Sequence, residues 1–160
     1  VLLNNFFTEM TDIIFKFNGT LDKYIGDAIM AVFGVPFEDE KHAESAILAA
    51  LDMISQLESI NENLEKKDRI KIRIGINSGK LISGDFGSPK RLDYTVLGNN
   101  VNIASRLESS VAGTNEIVIS NSTMKLTKGK FAVETLGKKK VQGITRMITT
   151  YKVLHKLGEE

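Results

Sequence analysis

The sequence predicts a mixed α/β domain of the α+β type, in which helices pack on a largely antiparallel sheet. In two long segments, apolar residues recur at spacings of three and four, which is typical of amphipathic helices. Shorter runs, several of them alternating between apolar and polar residues, indicate strands. Most of these strands are separated by a few turn residues rather than by a helix. Short connections favour hairpins, and hairpins produce antiparallel pairing.

Length and composition exclude several classes of protein. The 160 residues suit one domain with a substantial core, and the net charge of +1 gives no reason to expect a nucleic-acid partner. The absence of cysteine excludes disulfides, thiolate metal sites and a thiol nucleophile, and two histidines are too few for a histidine metal cage. No apolar run approaches the ~20 residues that span a bilayer, so we expect no membrane contact from this domain.

The first half of the chain is predicted to form a helix, a hairpin and a longer helix. Asn18-Gly19 has the residues that commonly end a helix, and Gly26-Asp27 is a turn between two strands. Several alanines on one side of the longer helix suggest close packing against a sheet or another helix. The predicted elements are a helix over 2–17, strands over 20–25 and 28–33, and a helix over roughly 41–66.

The second half alternates short strands with short helices. Isoleucines at every second position from Ile70 to Ile76 are the clearest strand pattern, and Ser120 suits the N-cap of a short helix. We expect a basic loop, Lys138–Lys140, between the last two strands. The predicted elements are strands over 70–76, 80–86, 92–96, 117–119, 131–136 and 148–154, and helices over 99–110 and 120–126.

The stretch DKYIGDAIMAVFG, residues 22–34, places a carboxylate, Asp27, at the turn and a lysine, Lys23, four residues earlier. Each has an ordinary interpretation: Asp27 as a turn residue and Lys23 as a solvated strand lysine. A single carboxylate is also a poor magnesium site, because Mg²⁺ usually takes one or two carboxylates together with water and substrate phosphates.

A second stretch, DYTVLGNNVNIASRLES over residues 93–109, contains a helix on which Asn102 and Arg106 are four residues apart and project side by side. An amide and a guanidinium arranged in this way can hold an anionic oxygen. The alternative is that they form an ordinary solvated face.

Taken together, the two stretches closely resemble those of the class III adenylyl/guanylyl cyclase catalytic domain. They are separated by about sixty residues, and the segment IKIRIGINSGKLISGDFG between them is also similar to the family. The resemblance covers nearly the whole chain, so residues 1–160 are interpreted as one such domain. It implies a ferredoxin-like core, a head-to-tail homodimer with shared active sites, and conversion of ATP to 3′,5′-cyclic AMP and pyrophosphate in signal transduction.

The resemblance also implies a role for each site residue. Asp27 corresponds to one of two aspartates that hold two Mg²⁺ or Mn²⁺ ions. Lys23 and Thr95 correspond to the residues that read the base, where lysine and threonine resemble bacterial adenylate cyclases rather than guanylate cyclases. Asn102 corresponds to the residue that orients the ribose, and Arg106 to the arginine that stabilises charge on the α-phosphate. Because sites are shared, a monomer is expected to be inactive.

Two features depart from the family pattern. The first metal aspartate and its strand are expected before residue 1, and the sequence starts without methionine or a signal-peptide pattern, so we interpret it as an N-terminally truncated domain that is inactive by itself. Gln142 stands where the family often has a lysine for the triphosphate, and Lys138–Lys140 are an alternative source of charge.

Three hypotheses therefore remain from the sequence. The first is an adenylate cyclase domain in the cytoplasm, with any membrane anchor elsewhere in a longer protein. The second is a non-catalytic, cyclase-like module for dimerisation or regulation, suggested by Gln142 and the missing aspartate. The third is a guanylate cyclase.

Overall fold

The computed structural model describes the backbone of residues 2–88, 91–141 and 144–158, and the side chains of these residues other than 2, 3, 83–88 and 91–97. Its helices and strands follow the predicted order. They are α1 (Leu2–Lys16), β1 (Gly19–Ile25), β2 (Ala28–Phe33), α2 (His42–Glu62), β3 (Ile74–Ile76), β4 (Ile82–Ser88), β5 (Arg91–Leu97), α3 (Asn99–Arg106), β6 (Ile117–Ser120), α4 (Asn121–Leu126), β7 (Phe131–Lys140) and β8 (Met147–Lys156). A 3₁₀ turn covers Lys66–Asp68, and a π-helical turn, Leu107–Val111, continues α3.

The described strands form one four-stranded sheet and two hairpins. The sheet has the order β3-β6-β8-β7, and the hairpins are β1-β2 and β4-β5. Among the described strand pairs, only β3 with β6 is parallel, and the others are antiparallel. The predicted class, a mixed α/β fold with helices on antiparallel-rich sheets, is confirmed.

Strand β6 lies at the centre of the core, because both of its faces are covered. Ile117 and Ile119 face α2 and pack with Ile47 and Ala50. Val118, on the opposite face, packs with Ile103 of α3 and Leu107 of the π-helical turn. A strand buried on both faces is continuously apolar, as the sequence Ile-Val-Ile is here. The sheet therefore separates α2 from α3.

Helix α2 contacts the sheet on one side and α1 on the other. Ala50 lies in the cluster against the sheet, whereas Ala49 and Leu57 pack with Phe6 and Met10 of α1. The small alanine side chains allow both neighbours to approach closely. The alternatives that the sequence left open, packing on a sheet or on a helix, therefore both occur.

Two predicted boundaries around residues 62–76 are wrong. Helix α2 ends at Glu62 rather than near residue 66, and β3 contains only Ile74–Ile76 of the predicted strand 70–76. In the segment before β3, two backbone N–H groups donate to asparagine side chains. The N–H of Ile70 donates to Asn61 Oδ1 at 2.9 Å, and the N–H of Ile72 donates to Asn115 Oδ1 at 3.0 Å. Strand-like alternation thus extends beyond the strand pairing.

The basic segment Lys138–Lys140 is not a loop, which corrects another expectation. It forms the end of β7, where Lys138 pairs with Thr149 and Lys140 with Met147 of β8. The three side chains are exposed. Backbone pairing with β8 explains why three consecutive lysines are accommodated in a strand.

Helix α1 fixes the β1-β2 hairpin through Tyr24. The Tyr24 ring centroid lies 5.2 Å from that of Phe7, and its hydroxyl is 2.9 Å from the Thr11 hydroxyl. At the other end of β1, the Thr20 hydroxyl donates to the carbonyl of Val35 at 2.6 Å. The hairpin is therefore held at two points.

Among the described helices, none has the length and apolar character needed to cross a membrane.

Candidate active site

The β1-β2 hairpin carries two of the predicted site residues. Lys23 lies opposite Met30 in the antiparallel register, and the turn follows the pair Ile25–Ala28. Gly26 has φ of 60°, a left-handed conformation that glycine adopts without steric cost. Asp27 follows it at the tip, and the side chains of Lys23 and Asp27 are both exposed. The hairpin therefore displays an ammonium and a carboxylate to solvent.

Helix α3 carries two more. Its first turn is closed by the carbonyl of Gly98, which accepts from the N–H groups of Val101 at 3.2 Å and Asn102 at 3.3 Å. Ile103 is buried against the sheet, whereas Asn102 and Arg106 are exposed. The predicted pairing of an amide with a guanidinium on one accessible helix face is therefore available for an anionic ligand.

Thr95 is the fifth predicted residue. It lies on β5 opposite Gly84 of β4, and its side chain is outside the described part. Strand β5 is in contact with β1, the strand of Lys23. The structure thus brings together the two strands that were predicted to read the base. Gln142 also lies outside the described residues.

The structure does not join the tip of the hairpin to the polar face of α3. Among the ion pairs of the described residues, none links Asp27 to Arg106. The described residues also contain no group of three acidic or histidine side chains that could hold a metal ion. Within the described residues, Asp27 is therefore neither paired with Arg106 nor part of a metal-binding cluster.

Asn77, the residue that follows β3, anchors the start of α3. Its Nδ2 donates to the carbonyl of Asn100 at 3.0 Å and to Asn100 Oδ1 at 3.1 Å. Asn100 Nδ2 in turn donates to the carbonyl of Lys80 at 2.7 Å. These bonds connect the end of β3 with the first turn of α3. No periodicity distinguishes such an asparagine from an ordinary turn residue.

The same network continues to α4 through hydroxyl groups. Asn77 Oδ1 accepts from Ser120 Oγ at 2.6 Å and from Ser122 Oγ at 3.1 Å. Ser120 Oγ also accepts from the N–H of Thr123 at 3.4 Å, which confirms the predicted N-cap. Ser78 and Thr123 are buried, and their hydroxyls are 2.7 Å apart. Buried polar groups that are mutually hydrogen-bonded give a defined local geometry.

Gly75 of β3 permits the closest approach of α3 to the sheet. A Cβ at this position would lie 2.6 Å from the carbonyl oxygen of Ala104 and 2.5 Å from the backbone nitrogen of Glu108. Both atoms belong to backbone that cannot move independently of the helix. At this level α3 changes to the π-helical turn, where the N–H of Ala112 donates to the carbonyl of Leu107 at 2.8 Å. Turns of this kind occur frequently at functional sites.

A shallow cleft of about 460 Å³ lies beside the first turn of α3. Its lining includes Asn99, Asn100 and Arg146, and Arg146 is exposed. The sequence analysis did not identify Arg146, because an isolated arginine in a loop has no distinguishing pattern. The cleft places a cation beside the first turn of α3.

We predict that Gly75→Ala lowers the free energy of unfolding by about 1–3 kcal/mol, since the added methyl group must displace helix backbone. Urea denaturation measures this loss, and amide resonances of α3 should shift. Gly158→Ala is the matched control, because a Cβ there meets no atom within 4 Å. Equal stabilities of the two variants would show that α3 is not held against β3 as described.

Comparison with known proteins identifies the family. The profile of the adenylate and guanylate cyclase catalytic domain matches residues 1–155. Adenylate cyclase 1 of Rhizobium meliloti (strain 1021) is 29% identical over 157 residues, covering 96% of this chain and 24% of the relative. The adenylate cyclase of Anabaena cylindrica is 33% identical over 161 residues, covering 94% and 31%. The chain thus spans about a quarter to a third of these curated relatives.

Solved structures agree with this assignment. The adenylyl cyclase CyaB from P. aeruginosa superposes with a TM-score of 0.90 at 36% identity, covering 98% of this chain and 84% of that chain. The guanylate cyclase domain of RhGC from Catenaria anguillulae, solved in complex with GTP, gives a TM-score of 0.86 at 32% identity, with coverages of 97% and 82%. Sequence and fold therefore agree that this chain belongs to the adenylate and guanylate cyclase catalytic domain family.

Proposed function

We propose that residues 1–160 form the catalytic domain of an adenylate cyclase, which converts ATP to 3′,5′-cyclic AMP and pyrophosphate as a head-to-tail homodimer in the cytoplasm. The observation that carries the proposal is the exposed pair Asn102 and Arg106 on α3, together with the exposed Asp27 carboxylate at the tip of a fixed hairpin. These are the groups that bind an anionic phosphate and a divalent cation.

The reaction is an in-line displacement at phosphorus. The ribose 3′-oxygen forms a bond to the α-phosphorus, the bond from the α-phosphorus to the bridging oxygen breaks, and pyrophosphate leaves. Arg106 would donate hydrogen bonds to the α-phosphate as negative charge develops there. Asn102, one helical turn earlier on the same face, would hold the ribose so that its 3′-oxygen lies in line with the leaving group.

Asp27 fits one part of a divalent metal site. It is an exposed carboxylate at the turn of the β1-β2 hairpin, and a hard oxygen ligand of this kind suits Mg²⁺ or Mn²⁺. When bound, two such ions would activate the attacking oxygen and neutralise the triphosphate. Mg²⁺ usually takes one or two carboxylates and completes its shell with water and substrate phosphates. We therefore expect Asp27 to act with a second carboxylate of the full-length protein.

We infer a site shared between two copies from the resemblance to the cyclase family, in which two domains pair head to tail. One subunit would contribute Asp27, and its partner would contribute the base-reading and phosphate-binding residues. In a symmetric dimer the same contact occurs twice, so two equivalent sites result. With such an arrangement, one copy alone would hold only part of the residues of each active site.

We predict that Asp27→Ala and Arg106→Ala each reduce turnover of ATP at least about 100-fold, because each removes a group that acts on developing charge. The full-length protein is incubated with ATP and Mn²⁺ or Mg²⁺, and cyclic AMP is quantified by mass spectrometry. Exposed residues of the same type elsewhere, Asp68→Ala and Arg69→Ala, are the matched controls. A folded, dimeric wild-type protein that makes no cyclic nucleotide would instead support the non-catalytic regulatory module.

The choice of ATP rests on Lys23 and Thr95, since the comparisons include both adenylyl and guanylyl cyclases. A lysine ammonium donates hydrogen bonds and cannot accept them, so it can distinguish the edges of adenine and guanine. The guanylate cyclase alternative is supported by the structural likeness to guanylyl cyclase domains, among them that of RhGC.

We predict that Lys23→Glu combined with Thr95→Cys shifts the ratio of kcat/KM for ATP to that for GTP by at least about 100-fold toward GTP, because a site that pairs the wrong base edge leaves polar groups unsatisfied. Parallel assays with both nucleotides measure the ratio. A ratio that stays at the wild-type value would show that these two residues do not read the base.

A further inference from the structure

Strand β1 contains an irregularity at Asp22. Leu21 lies opposite Ala31 and Lys23 lies opposite Met30, so three residues of β1 face two of β2. Asp22 is the extra residue, and the register shift between its neighbours is a β-bulge. Bulges commonly redirect a side chain next to a functional site.

The bulge places two adjacent side chains together. In a regular strand, neighbouring side chains point to opposite faces of the sheet. Here Asp22 Oδ2 lies 3.6 Å from Lys23 Nζ, and the side chains are 1% and 43% exposed, respectively. The carboxylate is therefore the buried member of the ion pair, and the ammonium extends from it toward the surface.

The separation of these atoms suits an orienting role. At 3.6 Å the contact is electrostatic, since it exceeds the length of a side-chain hydrogen bond. Within the described part of the chain, the three N–H donors of the ammonium therefore remain available for a ligand. A lysine side chain has four rotatable carbons, and a fixed negative charge beside its end restricts where the ammonium lies.

The surrounding contacts fix the position of the carboxylate. Immediately after the bulge, Tyr24 is held on α1 by Phe7 and by the Thr11 hydroxyl. Two residues before it, Thr20 is bonded to the carbonyl of Val35. The bulge thus lies between two anchored positions of β1, so the backbone that carries the Asp22 carboxylate is held on both sides.

We propose that Asp22 is a positioning residue for base recognition: its buried carboxylate holds the Lys23 ammonium where it discriminates adenine from guanine. The inference rests on the proposed function and deepens it by assigning part of the specificity to a residue that does not touch the nucleotide. If Asp22 positions the Lys23 ammonium, removing the charge of Asp22 should change nucleotide discrimination.

The test is a double-mutant cycle in the full-length protein. Asp22→Asn removes the charge but keeps the size of the side chain; it should raise KM for ATP about tenfold, the scale of one lost charged contact, with kcat and the constants for GTP largely unchanged. Introducing Asp22→Asn into the Lys23→Met protein should change the ratio of ATP to GTP use no further, because the two residues act as one unit.

Two control variants separate positioning from other effects. Asp22→Glu keeps the charge and should restore much of the ATP preference lost in Asp22→Asn. Asp68→Asn, an exposed aspartate in the 3₁₀ turn, should behave as wild type. An effect of Asp22→Asn that persists in full with Lys23→Met would overturn the inference, and so would an Asp22→Asn protein that fails to fold while Lys23→Met folds.

Calorimetry makes the result independent of turnover. Dissociation constants of non-hydrolysable ATP and GTP analogues are measured for the four proteins of the cycle. A wild-type protein without cyclase activity would contradict the proposed function alone, provided that its preference for the ATP analogue is lost in Asp22→Asn. A wild-type protein that binds both analogues equally would overturn the positioning role as well.

Discussion

The close approach of β3 to α3 at Gly75 is the contact that positions the anion-binding pair Asn102 and Arg106. No side chain separates the strand from the backbone around Ala104 and Glu108. Buried side chains of the helix also pack on β6, and the Asn77 network holds its first turn. A short helix is marginal by itself, so this support determines where Asn102 and Arg106 lie. The anion-binding pair is thus a property of the sheet as much as of the helix.

The hairpin is supported differently. It has few buried contacts at its tip, and its position depends on α1 through Tyr24 and on the bulge at Asp22. An exposed tip leaves Asp27 accessible to a metal ion and to a second subunit. Contacts of β1 with α1 thus orient the Asp27 carboxylate although the carboxylate itself is exposed.

The fold class could be predicted from local patterns in the sequence, whereas the site residues were predicted from the resemblance to the cyclase family. Helical periodicity located α1 and α2, and the spacing of Asn102 and Arg106 was sufficient to place them on one face. Contacts between distant segments were not predictable in this way. Asn61 and Asn115 bind the backbone of Ile70 and Ile72, and β3 is therefore shorter than predicted. Lys138–Lys140 belong to β7 because they pair with β8.

The positions of Asp22 and Asn77 could not be deduced for the same reason. Asp22 reads as one more polar strand residue, and only the register of β1 against β2 shows that it is the extra residue. Asn77 reads as a turn residue, and only its bonds to Asn100 and Ser120 connect it to α3 and α4. Sequence reasoning therefore found the groups proposed to touch the nucleotide, and missed those that hold them in place.

An active site that is shared between two copies can be tested by complementation between two inactive variants. Asp27→Ala and Arg106→Ala proteins, each inactive alone, are refolded together in equal amounts and assayed with ATP. We expect about a quarter of wild-type turnover, since half of the dimers are mixed and each mixed dimer holds one intact site. Mixed samples that remain as inactive as either variant alone would contradict the shared site.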